Sequence, residues 1–260
     1  MRFCDDRPLL VPCSLDGIDC QLDTYAGCAH GCSYCYARDE PGWSDEVRMH
    51  RDLAARLEAE LGLLAPGRIY LGWSSDPYQP AEAEQRQTRA ALEILVERGF
   101  APCVLTKSDL VTRDIDLFRA APGASAGLSL AFDDERIRMQ LEADSPPLAR
   151  RIEALAALRS AGVETYAMIC PLMPGLCDVE ALIDALAPQV GSIWFYRLEM
   201  QPGADRSWRE LSAALERYHP ELLDAYRALA FSGEHPAWGE LRGRIAALSG
   251  SYGPRFEIRF

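Results

Sequence analysis

Three cysteines within eight residues constrain this chain more than any other feature. Cys28, Cys32 and Cys35 lie in the run Gly27-Cys28-Ala29-His30-Gly31-Cys32-Ser33-Tyr34-Cys35-Tyr36-Ala37, a C-x3-C-x2-C triplet. Thiolates this close along a chain form a pincer for a soft metal or an iron–sulfur cluster. A four-iron cubane ordinarily takes four cysteines. Three leave one iron open to a small chelating ligand, and an open coordination position is where metal chemistry occurs. The same run could instead build a Cys3His zinc site with His30. His30 lies only two residues from both Cys28 and Cys32, which strains a tetrahedral wrap. The alternative reading is thus a zinc-stabilised nucleic-acid-binding module without catalysis.

Length and composition narrow the field. At 260 residues there is room for one large α/β domain or two small ones, with a sizeable core. No apolar run approaches the roughly 20 residues needed to cross a bilayer. The start, Met1-Arg2-Phe3-Cys4-Asp5-Asp6-Arg7, has no hydrophobic signal core, so secretion is not expected. Nine cysteines is an odd number, and three of them cluster too tightly for a disulfide framework, which points to a reducing cytoplasm. The net charge of −12 argues against tight non-specific nucleic-acid binding, because phosphate neutralisation needs a basic surplus.

Hydrophobic periodicity predicts alternating strands and helices. Residues 1–27 read as irregular apart from a short strand near 18–24. Leucines at 53, 57, 61 and 64 predict a helix over 51–64, followed by a strand over 68–73 and a long helix over 82–98. Strands are expected at 102–106, 127–131, 164–169 and 191–196. The intervening helices are expected at 112–120, 147–160 and 179–187. Residues 205–249 read as mainly helical, and 255–260 alternate as an edge strand would. The expected architecture is α/β: a partial (β/α)6 TIM-like barrel with a helical C-terminal extension. The expected division is 1–20 as an N-terminal extension, 21–200 as the barrel and 201–260 as the extension.

Parallel α/β folds place their sites at the carboxyl ends of the strands. The cysteine loop lands at that rim. So do Ser74-Ser75-Asp76-Pro77-Tyr78, Thr106-Lys107-Ser108, Ser129 with Asp133-Asp134-Glu135, and Cys170-Pro171. Four polar clusters converging on one metal-binding loop form the pattern of a site.

With its aromatic Tyr34 before the last cysteine, the triplet resembles that of the radical S-adenosylmethionine (SAM) superfamily. The run from Tyr25 to Arg38 is similar to the spore photoproduct lyase-related branch. Ser75-Asp76-Pro77-Tyr78-Gln79-Pro80 with Glu82, Thr106-Lys107-Ser108, Arg113-Asp114 and Pro171-Leu172-Met173-Pro174-Gly175 fit that branch as a set. The resemblance spans residues 22–199. It implies that Cys28, Cys32 and Cys35 bind a [4Fe-4S] cluster and that SAM chelates the open iron. Reductive cleavage of SAM would then give a 5′-deoxyadenosyl radical that abstracts hydrogen from a substrate. It further implies that Tyr34 lies near the adenine, that Ser75 and Asp76 meet the SAM amino group, and that Lys107 and Ser129 hold its carboxylate. A flavodoxin- or ferredoxin-type reductant is implied as partner, and the substrate is expected to be a small molecule, a nucleotide or a nucleic-acid lesion.

One departure stands out. The DNA-repairing lyases of this branch are expected to carry a hydrogen-donor cysteine two positions before the serine of the second-strand segment. Here Trp73 occupies that place, which counts against thymine-dimer repair. Cys170 and Tyr78 are the candidate catalytic residues, Cys170 as a hydrogen donor facing the radical site. The bland readings are a buried small hydrophobe for Cys170 and packing for the rim aromatics Tyr78, Trp73 and Tyr196. Cys4, Cys13 and Cys20, with Cys170 or Cys177, could build a second cluster, but free thiols are the simpler reading. Arg150-Arg151 reads as a solvated helix face, and Arg113-Asp114 as a structural ion pair.

Overall fold

The computed structural model describes residues 2–4 and 8–260. Among the described residues eleven strands run in the order β1 (Arg2–Cys4), β2 (Leu10–Pro12), β3 (Cys20–Leu22), β4 (Tyr25–Ala26), β5 (Arg48–His50), β6 (Arg68–Leu71), β7 (Ala101–Thr106), β8 (Ser125–Ser129), β9 (Glu164–Leu172), β10 (Ser192–Arg197) and β11 (Arg255–Ile258). The helices are α1 (Leu53–Leu61), α2 (Glu82–Gln85), α3 (Gln87–Glu97), α4 (Ile115–Ala120), α5 (Glu135–Leu141), α6 (Leu148–Ser160), α7 (Val179–Leu186), α8 (Asp205–Tyr218), α9 (Leu223–Ala230) and α10 (Pro236–Leu248).

Eight strands form one sheet in the order β11-β10-β9-β8-β7-β6-β3-β2, parallel throughout except for β2 against β3. From β3 to β11 spatial order follows chain order. The sheet therefore winds in one direction, as a barrel does, with no reversal point of the kind that creates a dinucleotide crevice. It does not close, and β2 and β11 are its edges. The expected terminal strand is present as β11, paired parallel to β10.

Residues of alternate parity on the strands face opposite sides. Ile69, Leu71, Val104, Ala126, Leu128, Ala167, Ile169, Ile193 and Phe195 are fully buried in the main core with the helices. Tyr70, Cys103 and Tyr166, of the other parity, form a separate small cluster with Trp73, Leu105 and Trp194 on the concave side. One face of the sheet thus holds the fold together, and the other is left to line a lumen.

Three expectations change. The described part of 1–27 is not irregular throughout: β1 and β4 flank β5 in a three-stranded sheet, and β2 extends the main one, while residues 1 and 5–7 lie outside the described residues. The long helix expected over 82–98 is broken, because Arg86 adopts a left-handed φ of 55°. The Glu82 carboxylate then accepts from the amides of Thr88 (2.9 Å) and Arg89 (3.1 Å), capping α3 from within α2. The helix expected at 112–120 begins as a 3-10 turn over Asp109–Asp114. No described helix is long and apolar enough to cross a membrane.

Gly72, just past β6, carries φ +108°, and a Cβ there would sit 2.2 Å from the Leu105 carbonyl oxygen. Gly72→Ala should destabilise the fold by about 2 kcal/mol or more, lowering the melting temperature by roughly 4 °C or more in a thermal melt followed by circular dichroism.

Candidate functional site at the carboxyl rim of the sheet

The cysteine loop leaves β4 through Gly27, whose φ of +78° and tight surroundings exclude a side chain: a Cβ would meet the Ser44 carbonyl oxygen at 2.4 Å. The next rim segment holds the loop. The Gly27 carbonyl accepts from Ser75 Oγ (2.7 Å) and Gln79 Nε2 (3.0 Å), and the Ala29 amide donates to Gln79 Oε1 (2.9 Å). On its far side, the Ser33 amide donates to the Leu141 carbonyl (2.9 Å) at the end of α5. After Cys35 a 3-10 turn over Tyr36–Asp39 delivers Asp39 to the start of α8, where it accepts from the amides of Arg206 (2.9 Å) and Ser207 (3.1 Å). The loop is thus fixed at both ends before any ligand is considered.

The three thiols sit within electrostatic reach of one another. Burial pushes the Cys28 thiol up to about 12, and raises Cys35 and Cys32 as well. Cys32 also feels the Lys107 ammonium, which opposes that rise, and both other thiols of the triplet. Such thiols stay protonated until a metal displaces the proton. The donor set, three soft sulfurs with a cation beside them, fits an anionic iron–sulfur cluster. His30, the fourth ligand a Cys3His zinc site would require, is 2% exposed, with its Nδ1 3.3 Å from Asp76 Oδ2. Among the described residues no three His, Cys, Asp or Glu side chains stand close enough to hold a single metal ion.

Asp76 is the hub of the rim. It accepts from Thr106 Oγ1 (2.5 Å) and the amides of Lys107 and Tyr78 (both 2.8 Å), with His30 alongside. Burial alone would raise its pKa; His30 and these donors instead bring it down to about 2. Both carboxylate oxygens are engaged within the protein, while Ser75 Oγ is spent on the Gly27 carbonyl.

Lys107, one residue past β7, and Ser129, the last residue of β8, meet with Nζ 2.9 Å from Oγ. The same Nζ lies 5.8 Å from the centroid of the Tyr34 ring. Behind them is a network that sequence reading missed. Glu142 is fully buried, 3.4 Å from Lys107 Nζ and 2.7 Å from the Arg151 guanidinium, and it accepts from the Tyr34 hydroxyl. Although burial opposes it, Lys107 and Arg151 hold Glu142 ionised, with a pKa of about 2. Arg151, read from sequence as solvated, has no exposed side-chain surface; Arg150 beside it is exposed and paired with Asp109. Periodicity cannot reveal such a residue, because a single arginine on a helix face has the same pattern whether or not a buried partner awaits it.

The remaining candidates separate. Cys170, at the upper part of β9, is partly buried; burial pushes its thiol up to about 11, and its field is shared with Lys107, Glu142 and Cys35. Tyr78 is 1% exposed and donates to Asp114 Oδ2 (2.9 Å), inside a knot formed by Arg113, Arg89 and Glu82. Arg113 and Asp114 are ion-paired at 2.7 Å. Cys13, Cys20, Cys103 and Cys177 are free thiols, and the Cys4 thiol donates to the Met49 carbonyl (3.4 Å).

Two consequences can be measured. Arg151→Met should destabilise the protein by about 3–5 kcal/mol in a denaturant titration, because Glu142 keeps its charge without that partner. Adding Glu142→Gln should recover part of the loss. Asp23, which accepts from the Ser74 and Ser75 amides, is pushed up by burial to about 6. A carboxyl with a raised folded-state pKa favours folding below its unfolded value, and that contribution fades as pH rises to 6. Stability should therefore fall by up to about 3 kcal/mol between pH 4 and 6, a slope absent in Asp23→Asn.

Comparison with known proteins identifies the family. The sequence model of the Radical SAM superfamily matches residues 22–186. An uncharacterized protein of Methanocaldococcus jannaschii is 32% identical over 82% of this chain and 81% of its own length. One from Mycobacterium tuberculosis is 31% identical over 89% of this chain and 74% of its own. A protein of Pseudomonas phage M6 named radical SAM Nalpha-GlyT isomerase is 25% identical over 84% of this chain and 46% of its own. Among solved structures, a point mutant of spore photoproduct lyase superposes with a TM-score of 0.71 at 15% identity, covering 99% of this chain and 81% of that one. Streptococcus suis SuiB bound to S-adenosylmethionine gives 0.61 at 11% identity, over 92% of this chain and 50% of that one. The chain belongs to the radical SAM superfamily, whose enzymes use a [4Fe-4S] cluster and SAM for radical transformations.

Proposed function

We propose that Cys28, Cys32 and Cys35 hold the [4Fe-4S] cluster of a hydrogen-abstracting radical SAM enzyme, and that SAM lies across the rim between the cysteine loop and Lys107. The observation that carries this reading is the convergence of three mutually interacting thiols with Lys107, Ser129 and Tyr34 at one end of a singly wound parallel sheet. When bound and reduced, the cluster and SAM supply a 5′-deoxyadenosyl radical and methionine.

The chain's own residues position and shield that chemistry. Lys107, held by Glu142 and Ser129, offers its ammonium to the SAM carboxylate. Tyr34, fixed by Glu142 and edge-on to Phe132 at 6.1 Å, gives the adenine a rigid neighbour. Asp76 acts through the rim it organises, since its oxygens are already engaged by Thr106, Lys107 and Tyr78. Cys170 retains its S–H and lies in the field of Cys35 and Lys107, which suits it to return a hydrogen atom to a substrate radical. Tyr78, bound to Asp114, serves the frame of the site. The phage relative is named an Nalpha-GlyT isomerase, and spore photoproduct lyase is known in complex with a dinucleoside spore photoproduct. Trp73 in the donor cysteine's place and the net charge of −12 favour a small substrate over duplex DNA.

Anaerobic reconstitution with iron and sulfide, then dithionite and SAM, tests the reading. The wild type should bind about four irons per chain and release 5′-deoxyadenosine, and Cys32→Ala should do neither. A colourless protein with one zinc and no 5′-deoxyadenosine would instead support the non-catalytic alternative.

A further inference from the structure

Below the rim, the concave face of the sheet encloses a cavity of about 290 Å³ that the proposed cofactor chemistry does not use. Its walls come from the lumen-facing residues of the central strands. Tyr70, Tyr166, Trp194 and Tyr196 supply aromatic surface, while Arg68, Arg255 and Arg259 supply charge. The cavity runs from the first residues of β6, β8, β9 and β10 up to Tyr196, whose neighbours Phe195 and Arg197 pair with Ile169 and Leu172 on either side of Cys170.

The aromatic walls are set in place without a ligand. The Tyr166 ring lies across Gly127, where a Cβ would come within 2.3 Å of it, and its hydroxyl donates to the Val104 carbonyl at 2.8 Å. Trp194 is covered on one side by the Arg259 guanidinium, 5.0 Å from its ring centroid. Tyr70 packs edge-on against Trp73 at 6.2 Å. Rings fixed in this way stack a planar group at little entropic cost.

The arginines differ from one another. Arg255 is paired with Glu257 at 2.6 Å, and Arg259 with Asp16 and Glu257, both at 3.3 Å. Arg68 has no carboxylate within ion-pair distance among the described residues. Among these residues its one side-chain hydrogen bond runs 3.4 Å from Nη2 to Ser125 Oγ, and its buried Nε has none. Glu164, exposed at the mouth, makes no ion pair with it. A partly buried guanidinium with an orphaned donor is a costly arrangement unless an external acceptor completes it.

The geometry points to this cavity as the substrate pocket and to an elongated molecule as its occupant, with a planar π-system stacked at the Trp194–Tyr196 end and one carboxylate or phosphate bound by Arg68. The assignment rests on the radical SAM reading of the rim and adds the substrate's chemical class. It places the planar end toward Cys170 and the anion at the opposite end of the lumen.

Saturation-transfer NMR titrations of the full-length holoprotein with matched pairs test it: uridine 5′-monophosphate against uridine for phosphate, and hippurate against hippuramide for carboxylate. At least one anion should bind ten times or more tighter than its neutral partner. That preference should vanish in Arg68→Met, return in part in Arg68→Lys, and survive in Arg136→Met, an exposed arginine outside the cavity. The pair that shows the preference identifies the anion. Equal binding within both pairs, or a preference unaffected by Arg68→Met in a variant with wild-type circular dichroism, overturns the assignment. Release of 5′-deoxyadenosine by the same wild-type preparation is scored separately. A protein that cleaves SAM yet shows no anion preference loses only the pocket, and one that shows the preference without cleaving SAM loses the radical reading.

Discussion

One buried carboxylate organises the rim. Asp76 takes donors from its own turn and from the end of β7 and lies 3.3 Å from His30 of the cysteine loop, and so brings together three segments that the sheet alone would leave as independent loops. A buried charge is tolerable only where several donors converge on it, so the segments around it have few alternative arrangements. The position of Lys107 follows from its own amide being held by that carboxylate. The distance between Lys107 and the thiols is thereby set by the protein in advance of any cofactor. Preorganisation of this kind is what enzymes require where charge must be met without solvent rearrangement.

Behind the rim lies a second charged layer with a different purpose. Glu142, Arg151 and Lys107 form a fully or nearly buried set in which each charge depends on the others. Such sets contribute modestly to stability compared with apolar packing, yet they fix orientation, because a misplaced member leaves its partner uncompensated. Tyr34, donating to Glu142, extends that orientation to the cysteine loop.

Much of this was readable from the chain. The repeated strand-and-helix pattern gave the singly wound sheet, because its inner strands carry short apolar runs, and the alternation of 255–260 gave its last strand. The thiol triplet and the rim segments were visible because rim position follows from strand position. Lys107 meets Ser129 because both lie at the ends of adjacent parallel strands. The small sheet of β1, β4 and β5 was not visible, since strands of two or three residues leave no period to detect. The break at Arg86 was hidden because the apolar spacing continues through it, and only the reach of Glu82 explains it. Arg151 and Glu142 were hidden for a related reason: nine residues apart on a turn and a helix, they are joined by tertiary folding that local spacing does not encode.

Asp39 leaves the cysteine loop and satisfies the first amides of α8, far along the chain. Thermodynamic linkage is reciprocal, so whatever orders the loop also tightens the seat of that helix, and loosening the helix relaxes the loop in return. Removing the Asp39 carboxylate should therefore be felt in two distant places at once, in faster amide exchange at the start of α8 and in the turn that follows Cys35.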